Sequence, residues 1–298
     1  MLKRKIRAAF IALIVLFCIV TIPPNQADAQ TIGPERGVLL LGGGNLQDVK
    51  IFERFVTLAG GPDAKIVIIP TAGGAAEYDE YWWGFGIFRR AGARNLHLMH
   101  TYDPAVANTE EFASQLDDVQ GVWFSGGRQW RLADAYLNTK VHDALWGLLN
   151  RGGIIGGSSA GATIQGSYLA RGDTKTNTIM MGDHEEGLAF LKQTAVDQHL
   201  LQRNRQFDMI EIIEARPELL GIGLDENTAI LVRGDEFEVI GQSYVAIYDH
   251  QSMIDSGGKF YFLRPGDAFD LETRKAYRHV RSRIEMERVV SRSWPDGE

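Results

Sequence analysis

A serine in a glycine-dense turn is the residue best suited to chemistry in this sequence. Gly157-Ser158-Ser159-Ala160-Gly161 fits the G-x-S-x-G pattern, in which the central serine lies at a sharp turn between a strand and a helix. A side chain two positions before or after the serine would collide with such a turn. The following helix start would direct the Ala160 N–H towards an oxyanion. The segment predicts Ser159 as a nucleophile; a glycine-rich turn without chemistry is the alternative.

A serine nucleophile needs a base within hydrogen-bond reach, and that base needs an orienting acid. Of the seven histidines, His199 has the most suggestive surroundings, because Asp197-Gln198-His199 directly follows an apolar pair and precedes Arg203 and Arg205. A polar cluster at this point is typical of a strand end that opens onto a site. An ordinary helix start capped by Asp197 is the alternative.

The apolar pattern predicts the fold class. Short apolar runs alternate with amphipathic stretches, which indicates parallel strands buried on both faces and connected by helices. We expect a doubly wound α/β fold, flavodoxin-like, with a mostly parallel sheet flanked by helices, and ligands at the carboxyl ends of the strands. The predicted strands are Val38–Leu41, Ile66–Ile69, Leu96–Met99, Gly121–Phe124 and Ile154–Ile155; the predicted helices are 47–59, 78–91, 110–116, 130–150 and 160–168.

Three further segments bear on the predicted fold. Gly42-Gly43-Gly44 lacks the third glycine of a dinucleotide fingerprint and predicts a tight turn on the ligand face. Beyond Leu219 the pattern changes to β-ribbons, so the C-terminal part is expected to be β-rich. The charged tail Glu272–Arg292 has a helical pattern and predicts a surface helix.

Four segments, in order, resemble the cyanophycinase and dipeptidase E family of serine peptidases. Ile155–Ala162 resembles the nucleophile segment, and Phe124–Gln129 resembles the oxyanion and substrate loop. Asp197–Arg205 is similar to the histidine segment of cyanophycinases, and Gly223–Ala229 also matches. Together the four segments are far more specific than any one of them.

The resemblance implies a fold like the class I glutamine amidotransferases, with serine replacing their cysteine. It implies Ser159 as nucleophile, His199 as base and an oxyanion hole made by the N–H groups of Gly127 and Ala160. It implies no cofactor and no metal. It also implies that substrate is contacted by Gln129, Asp197, Gln198, Arg203 and Arg205.

Three positions depart from the family pattern. Where cyanophycinases carry the glutamate that orients the histidine, this chain has Gly172-Asp173-Thr174-Lys175, and lysine cannot serve. Dipeptidase E-like members use an aspartate in this region, so we expect Asp173 to be the orienting acid, with Glu185 and Glu186 as alternatives. Arg128 replaces an aspartate and Asp208 replaces an arginine, which puts the β-Asp-Arg substrate of the family in question.

The N-terminal residues predict export. Basic residues within Met1–Arg7 precede an apolar run to about Ile22, then Pro23-Pro24 and Ala27-Asp28-Ala29. This is the three-part pattern of a signal peptide cleaved after Ala29, with a membrane anchor as the alternative. We expect residues 30–298 to form a single domain in a secreted or periplasmic protein, without a stable membrane anchor.

The amino-acid composition excludes some classes of binding partner. The 298 residues carry a net charge of −7, and no basic block follows the N-terminal one, which argues against nucleic acid and anionic membranes. The expected partner is a peptide or isopeptide substrate, and a homodimer stays open.

Three functions follow from these residues. The favoured one is an exported serine peptidase that forms an acyl-enzyme on Ser159 and hydrolyses a bond in cyanophycin-like β-Asp-Arg or other Asp-containing peptides. A non-catalytic or altered-specificity relative, an amidase or a binding protein, is the alternative. An α/β-hydrolase esterase is disfavoured, because only 40 residues separate Ser159 from His199.

Overall fold

The computed structural model describes residues 31–79, 81–251 and 257–278, and the backbone of residues 284 and 285. The predicted signal peptide lies outside the described residues. The strands are β1 Val38–Gly42, β2 Ile66–Ile69, β3 Leu96–Leu98, β4 Gly121–Phe124, β5 Ile154–Ser158, β6 Gly166–Tyr168, β7 Leu191–Gln198, β8 Leu220–Leu224, β9 Thr228–Arg233, β10 Glu236–Gly241, β11 Val245–Asp249, β12 Tyr261–Leu263, β13 Ala268–Asp270, β14 Lys275–Arg278 and β15 Ile284–Glu285.

The helices lie mainly between the early strands. They are α1 Val49–Ala59, α2 Phe85–Arg90, α3 Pro104–Ala107, α4 Glu110–Ala113, α5 Trp130–Tyr136, α6 Lys140–Asn150, α7 Ala160–Thr163 and α8 Met209–Ala215, with 3₁₀ turns at Thr71–Gly73 and Ser114–Leu116. Helix α1 begins where the Asp48 side chain accepts from the Lys50 N–H, and it ends at Gly60, which has a left-handed φ of 116°. These are the side-chain cap and the glycine stop expected for a helix.

A ten-stranded sheet forms the centre of the fold, in the order β15-β14-β13-β10-β9-β1-β5-β4-β2-β3. Strands β1 to β5 pair in parallel. The remaining strands extend the sheet in antiparallel fashion from β1. Strand β2 has its chain successors β3 and β4 on opposite sides, so the chain reverses its direction across the sheet here. Such a reversal is where doubly wound sheets open a crevice for ligands.

The parallel strands are buried on both faces, as predicted. On β1, Leu39 and Leu41 belong to one core cluster, whereas Val38 and Leu40 belong to another on the opposite face. Helices α1 and α2 cover the second face with an apolar stripe that includes Phe52. This alternation is why these strands form continuous apolar runs in the sequence.

A second sheet packs against the first face. Its order is β12-β11-β8-β7-β6, with β6, β7 and β8 parallel and the rest antiparallel. Val196 and Ile222 from this sheet share a core cluster with Leu39 and Ile155 of the large sheet. The predicted α/β architecture with a β-rich C-terminal part is therefore confirmed, and β7 and β8 are brought beside the strands that carry the serine.

Several predicted helices are wrong in extent. The predicted helix over 130–150 is two helices, because Asn138 adopts a left-handed φ of 58° between α5 and α6, a conformation that asparagine tolerates. The predicted helix over 160–168 ends after one turn, and its last residues form β6 beside β7. In the predicted C-terminal helix, residues 275–278 and 284–285 are strands that pair at the sheet edge. At residues 166–168 and in the C-terminal segment, long-range strand pairing outweighs local helical preference.

Candidate active site

Ser159 occupies the turn between β5 and α7. Its φ and ψ are 55° and −119°, a strained conformation for a residue with a side chain, and its N–H donates to the Gly42 carbonyl at 2.9 Å. A Cβ at Gly157 would overlap the Gly161 carbonyl, and a Cβ at Gly161 would overlap the Phe124 carbonyl. The predicted steric need for glycine on both sides of the serine is confirmed.

His199 stands at hydrogen-bond distance from the serine. It follows the last residue of β7, and its Nε2 lies 2.9 Å from Ser159 Oγ. Its backbone also has a left-handed φ, 53°, and its N–H donates to the Gly43 carbonyl at 2.7 Å. A Cβ at Gly44 would overlap the imidazole ring. The predicted tight turn after β1 therefore provides the space in which the histidine ring lies.

Glu226 completes a chain of three side chains. Its Oε1 lies 2.6 Å from His199 Nδ1, and its Oε2 accepts from Asn45 Nδ2 at 2.8 Å. Because a carboxylate can only accept, Nδ1 is assigned the proton and Nε2 is left free to accept the Ser159 Oγ–H. This is the tautomer that a general base beside a serine requires.

The structure corrects the expected orienting acid. Asp173 Oδ1 accepts from the backbone N–H groups of Lys175 and Thr176 at 2.9 and 2.7 Å, so this carboxylate caps its own turn instead of contacting the histidine. Of the two alternatives, Glu185 is engaged elsewhere, because its carboxylate accepts from Tyr168 and Arg216. The backbone of Glu186 forms a β-bridge with Tyr168, and it is Glu226 that lies at His199 Nδ1.

Glu226 was not among the predicted site residues, although the sequence carries a signal for it. Glu226 follows β8 as His199 follows β7, and these strands are parallel neighbours with Gln198 paired to Leu224. Polar residues beyond the carboxyl ends of neighbouring parallel strands lie side by side. The pairing of β7 with β8 is decided by the tertiary fold, so closeness along the chain favoured Asp173 wrongly.

The electrostatic setting keeps the histidine neutral and the glutamate charged. Burial lowers the pKa of His199, the positive charges of Arg203 and Arg205 act in the same direction, and the hydrogen bond to Glu226 opposes them. For Glu226, burial opposes ionisation, but hydrogen bonds from Asn45 and His199 outweigh it and lower its pKa. A neutral imidazole beside an ionised carboxylate is the state that accepts a proton from serine.

A cleft of about 810 Å³ opens over Ser159 and His199. Part of its lining is polar and includes Gln129, Asn177, Gln198 and Arg203; we call this part the polar end. The aromatic and aliphatic part, with Phe52, Phe88 and Trp123, belongs to the core cluster beneath α1 and α2, and we call it the apolar end. Gly126 and Gly127 line the wall that faces the serine, and the first helical residue, Ala160, has an N–H for which an α-helix provides no internal partner. Of the two residues predicted for the oxyanion hole, Gly127 thus lines the cleft and Ala160 directly follows Ser159, and their role stays a prediction.

Comparison with known proteins assigns this arrangement to a family. The sequence profile of Peptidase family S51 matches residues 38–240, which include Ser159, His199 and Glu226. The chain belongs to peptidase family S51. It is therefore a serine-type peptidase, a hydrolase, and the predicted resemblance is confirmed.

Named relatives of this S51 peptidase include cyanophycinases. The cyanophycinase of Geminocystis herdmanii is 31% identical over 224 residues, covering 72% of this chain and 81% of the relative. That of Synechococcus elongatus is 30% identical over 274 residues, covering 85% and 84%.

Solved structures support the fold. A peptidase from an acI-B1 Actinobacterium superposes with a TM-score of 0.63 at 23% identity, over 80% of this chain and 98% of that one. A putative peptidase E protein from Listeria monocytogenes superposes with a TM-score of 0.52 at 19% identity, over 70% and 99%.

The predicted substrate residues of the S51 peptidase divide into two groups. Gln129, Gln198 and Arg203 line the cleft. Asp197 is fully buried instead, and its carboxylate makes a bidentate ion pair with Arg171 at 2.7 and 2.9 Å. Arg205 is also buried and donates to the Gln198 backbone and side chain. Arg205 therefore positions Gln198, and Asp197 neutralises a buried arginine. Neither residue lines the cleft, and their contact with substrate stays a prediction.

The two charge reversals are likewise engaged with the protein. Arg128 donates to the carbonyls of Asp173 and Thr176 and so holds the loop beside the cleft. Asp208 accepts from Arg171, whose guanidinium is buried. In the described part of this S51 peptidase, no group of side chains is arranged to hold a metal ion. Within the same residues no helix has both the length and the apolar character needed to cross a bilayer.

Proposed function

We propose that this S51 peptidase hydrolyses the bond that follows an aspartyl residue, in α or β linkage, through an acyl-enzyme on Ser159. The observation that carries the proposal is the hydrogen-bonded chain from Ser159 Oγ through His199 to Glu226, which lies at the floor of a cleft. A serine of this kind is activated only when a base and its orienting acid are aligned with it.

The mechanism follows from this alignment. Ser159 Oγ attacks the substrate carbonyl while His199 Nε2 takes the hydroxyl proton, and Glu226 stabilises the resulting imidazolium. The N–H groups of Gly127 and Ala160 hold the negative oxygen of the tetrahedral intermediate. His199 then gives its proton to the leaving amine. Water, activated by the same imidazole, attacks the ester and releases the acid and free Ser159.

The polar end of the cleft supports an aspartyl acyl group. Gln129 Nε2 donates to the carbonyls of Ala170 and Arg171, so its Oε1 is the atom left to accept from a substrate ammonium group. Gln198 Oε1 accepts from Arg205, so its Nε2 is left to donate. Arg203 adds a positive charge beside His199. An aspartyl residue with a free amino group and a free carboxylate matches this set of one acceptor, one donor and one cation.

Two observations favour a specificity different from that of the named relatives. Arg128 and Asp208 are used to hold neighbouring protein groups, and neither presents the charge that the family pattern puts at its position. We therefore expect short Asp-X or β-Asp-X peptides to be better substrates than cyanophycin. The proposal is therefore a peptidase of altered specificity on the same fold. The competing hypothesis is a non-catalytic binding protein.

The test compares two adjacent serines. Purified protein is given cyanophycin, α-Asp-X and β-Asp-X dipeptides, and release of free amine is measured. We expect Ser159→Ala to lose about a million-fold in kcat, the typical cost of removing a triad nucleophile. Ser158→Ala is the matched control and should retain activity. Loss of activity only in Ser158→Ala would reverse the assignment, and no hydrolysis of any aspartyl peptide would favour the binding protein.

We also propose export, from the basic, apolar and small-residue regions of residues 1–29. N-terminal sequencing of protein recovered outside the cytoplasm should start at Gln30. Recovery of chains that begin at Met1 would contradict cleavage.

A further inference from the structure

The apolar end of the cleft is the outer edge of an aromatic core. Phe52, Phe88 and Trp123 are buried and pack with ring centroids 5.0 to 5.4 Å apart. All three also line the cleft. Because these rings are fixed by the core beneath α1 and α2, they provide a rigid apolar floor beside Ser159.

Two tryptophans extend this floor to the solvent. Trp82 is half-buried and contacts Trp83 with ring centroids 5.6 Å apart, and both line the cleft with Ile87. Trp83 is 84% exposed. Tyr81, equally exposed at 82%, does not line the cleft. A large aromatic surface left open next to reactive groups is typical of a binding surface.

We propose that this aromatic wall, made by Phe52, Trp82, Trp83 and Ile87, is a subsite for a large apolar side chain on the leaving-group residue of the substrate. The proposal rests on the proposed peptidase function. It adds a second determinant of specificity to the polar end that binds the aspartyl residue. The polar end, with Gln129, Gln198 and Arg203, holds the aspartyl residue, so the residue across the scissile bond lies on the aromatic side of Ser159. Its preferred side chains are those of phenylalanine and leucine.

A cationic side chain is the competing occupant, because aromatic faces also attract cations. Glu77 and Asp79 line the same end of the cleft, but both are exposed to solvent, and Asp79 Oδ1 already accepts from the Tyr81 N–H. Exposed carboxylates attract a cation only weakly. The buried rings of Phe52, Phe88 and Trp123, in contrast, present an apolar surface to the cleft. We therefore expect apolar contact to dominate at the floor that these rings form.

The experiment measures kcat/KM for Asp-Phe, Asp-Leu, Asp-Arg and Asp-Gly, and for the β-linked series. We expect the Phe and Leu peptides to exceed the Gly peptide by about 10- to 100-fold, the range that an apolar pocket supplies. Trp83→Ala should reduce this ratio several-fold. Tyr81→Ala is the matched control, since it removes an equally exposed aromatic residue outside the cleft, and should keep the ratio.

Binding to the Ser159→Ala protein separates this inference from the hydrolytic function. Calorimetry should give tighter binding of Asp-Phe than of Asp-Gly by a similar factor, whether or not the wild-type protein cleaves either peptide. Equal kcat/KM values and equal affinities for all leaving groups, or a preference for Asp-Arg, would overturn the apolar subsite while leaving the peptidase function intact. Trp83→Ala could instead change the sedimentation coefficient and leave the ratio of kcat/KM between the Phe and Gly peptides unchanged. That result would assign the aromatic wall to a protein interface and would also overturn the apolar subsite.

Discussion

Gln198 and Leu224 are paired at the carboxyl ends of β7 and β8, and this pairing brings the segments that follow the two strands close together. His199 follows the first strand, and Glu226 lies two residues beyond the second. Their 2.6 Å contact is thus a consequence of parallel strand order in the second sheet. The serine comes from the other sheet, so the three side chains meet where the two sheets pack together.

Removing the charge of Glu226 is expected to be costly. Glu226→Gln keeps the shape but can no longer stabilise the imidazolium, and loss of such an acid has cost about ten-thousand-fold in kcat in a serine protease. Asp173→Asn is the matched control and should change kcat little, because Asp173 caps a turn. Normal turnover in Glu226→Gln with a dead Asp173→Asn would restore Asp173 as the orienting acid.

The acid side of the pH profile should report His199. Only neutral imidazole can accept the serine proton, so kcat/KM should rise as pH rises through the pKa of His199. Because burial and nearby arginines lower that pKa, the half-maximal point should fall below the usual value of about 6.5.

Arg203→Gln removes one of the charges that lower this pKa, so it should move the acid limb to higher pH as well as weaken substrate binding. Arg233→Gln removes an exposed charge at the far end of β9 and should leave the midpoint unchanged. An unmoved midpoint in Arg203→Gln would show that its charge does not act on His199.

Gly44 should be intolerant of a side chain for a reason specific to catalysis. A Cβ there would overlap the His199 ring, so Gly44→Ala should displace the base and lower kcat at least 100-fold, as small misplacements of catalytic groups do. Gly61→Ala is the control, because Gly61 has a similar positive φ but open space around its Cβ position. Gly61→Ala should lose stability without losing kcat per folded molecule; equal kcat in both variants would contradict the role of Gly44.

Asp197 is expected to act through stability. Its carboxylate is buried against Arg171, and removing one partner of a buried ion pair typically costs about 3–5 kcal/mol in the free energy of unfolding. Asp197→Asn should therefore lower the denaturation midpoint in urea. A raised KM with unchanged stability would instead support the direct substrate contact inferred from the sequence.

The sequence by itself determined the features that depend on local sterics and on pattern. The glycines at 157 and 161 specify the serine turn because any Cβ there would overlap backbone a few residues away or on the adjoining strand. The alternation of apolar runs with amphipathic stretches specified the parallel sheet, because strands covered on both faces must be apolar throughout. His199 was found because it belongs to a polar cluster that directly follows an apolar pair, a pattern typical of the end of a strand.

Only the tertiary structure decided which charged residues face the site. Asp173, Asp197 and Glu226 are all carboxylates near strand ends, and nothing in their types distinguishes a turn cap, a buried counter-ion and an orienting acid. Strand order separates them: β8 lies beside β7, so Glu226 reaches His199, while Asp197 projects to Arg171 and Asp173 bonds its own turn. Hydrogen bonds between residues distant in the chain depend on that order, which local pattern does not encode.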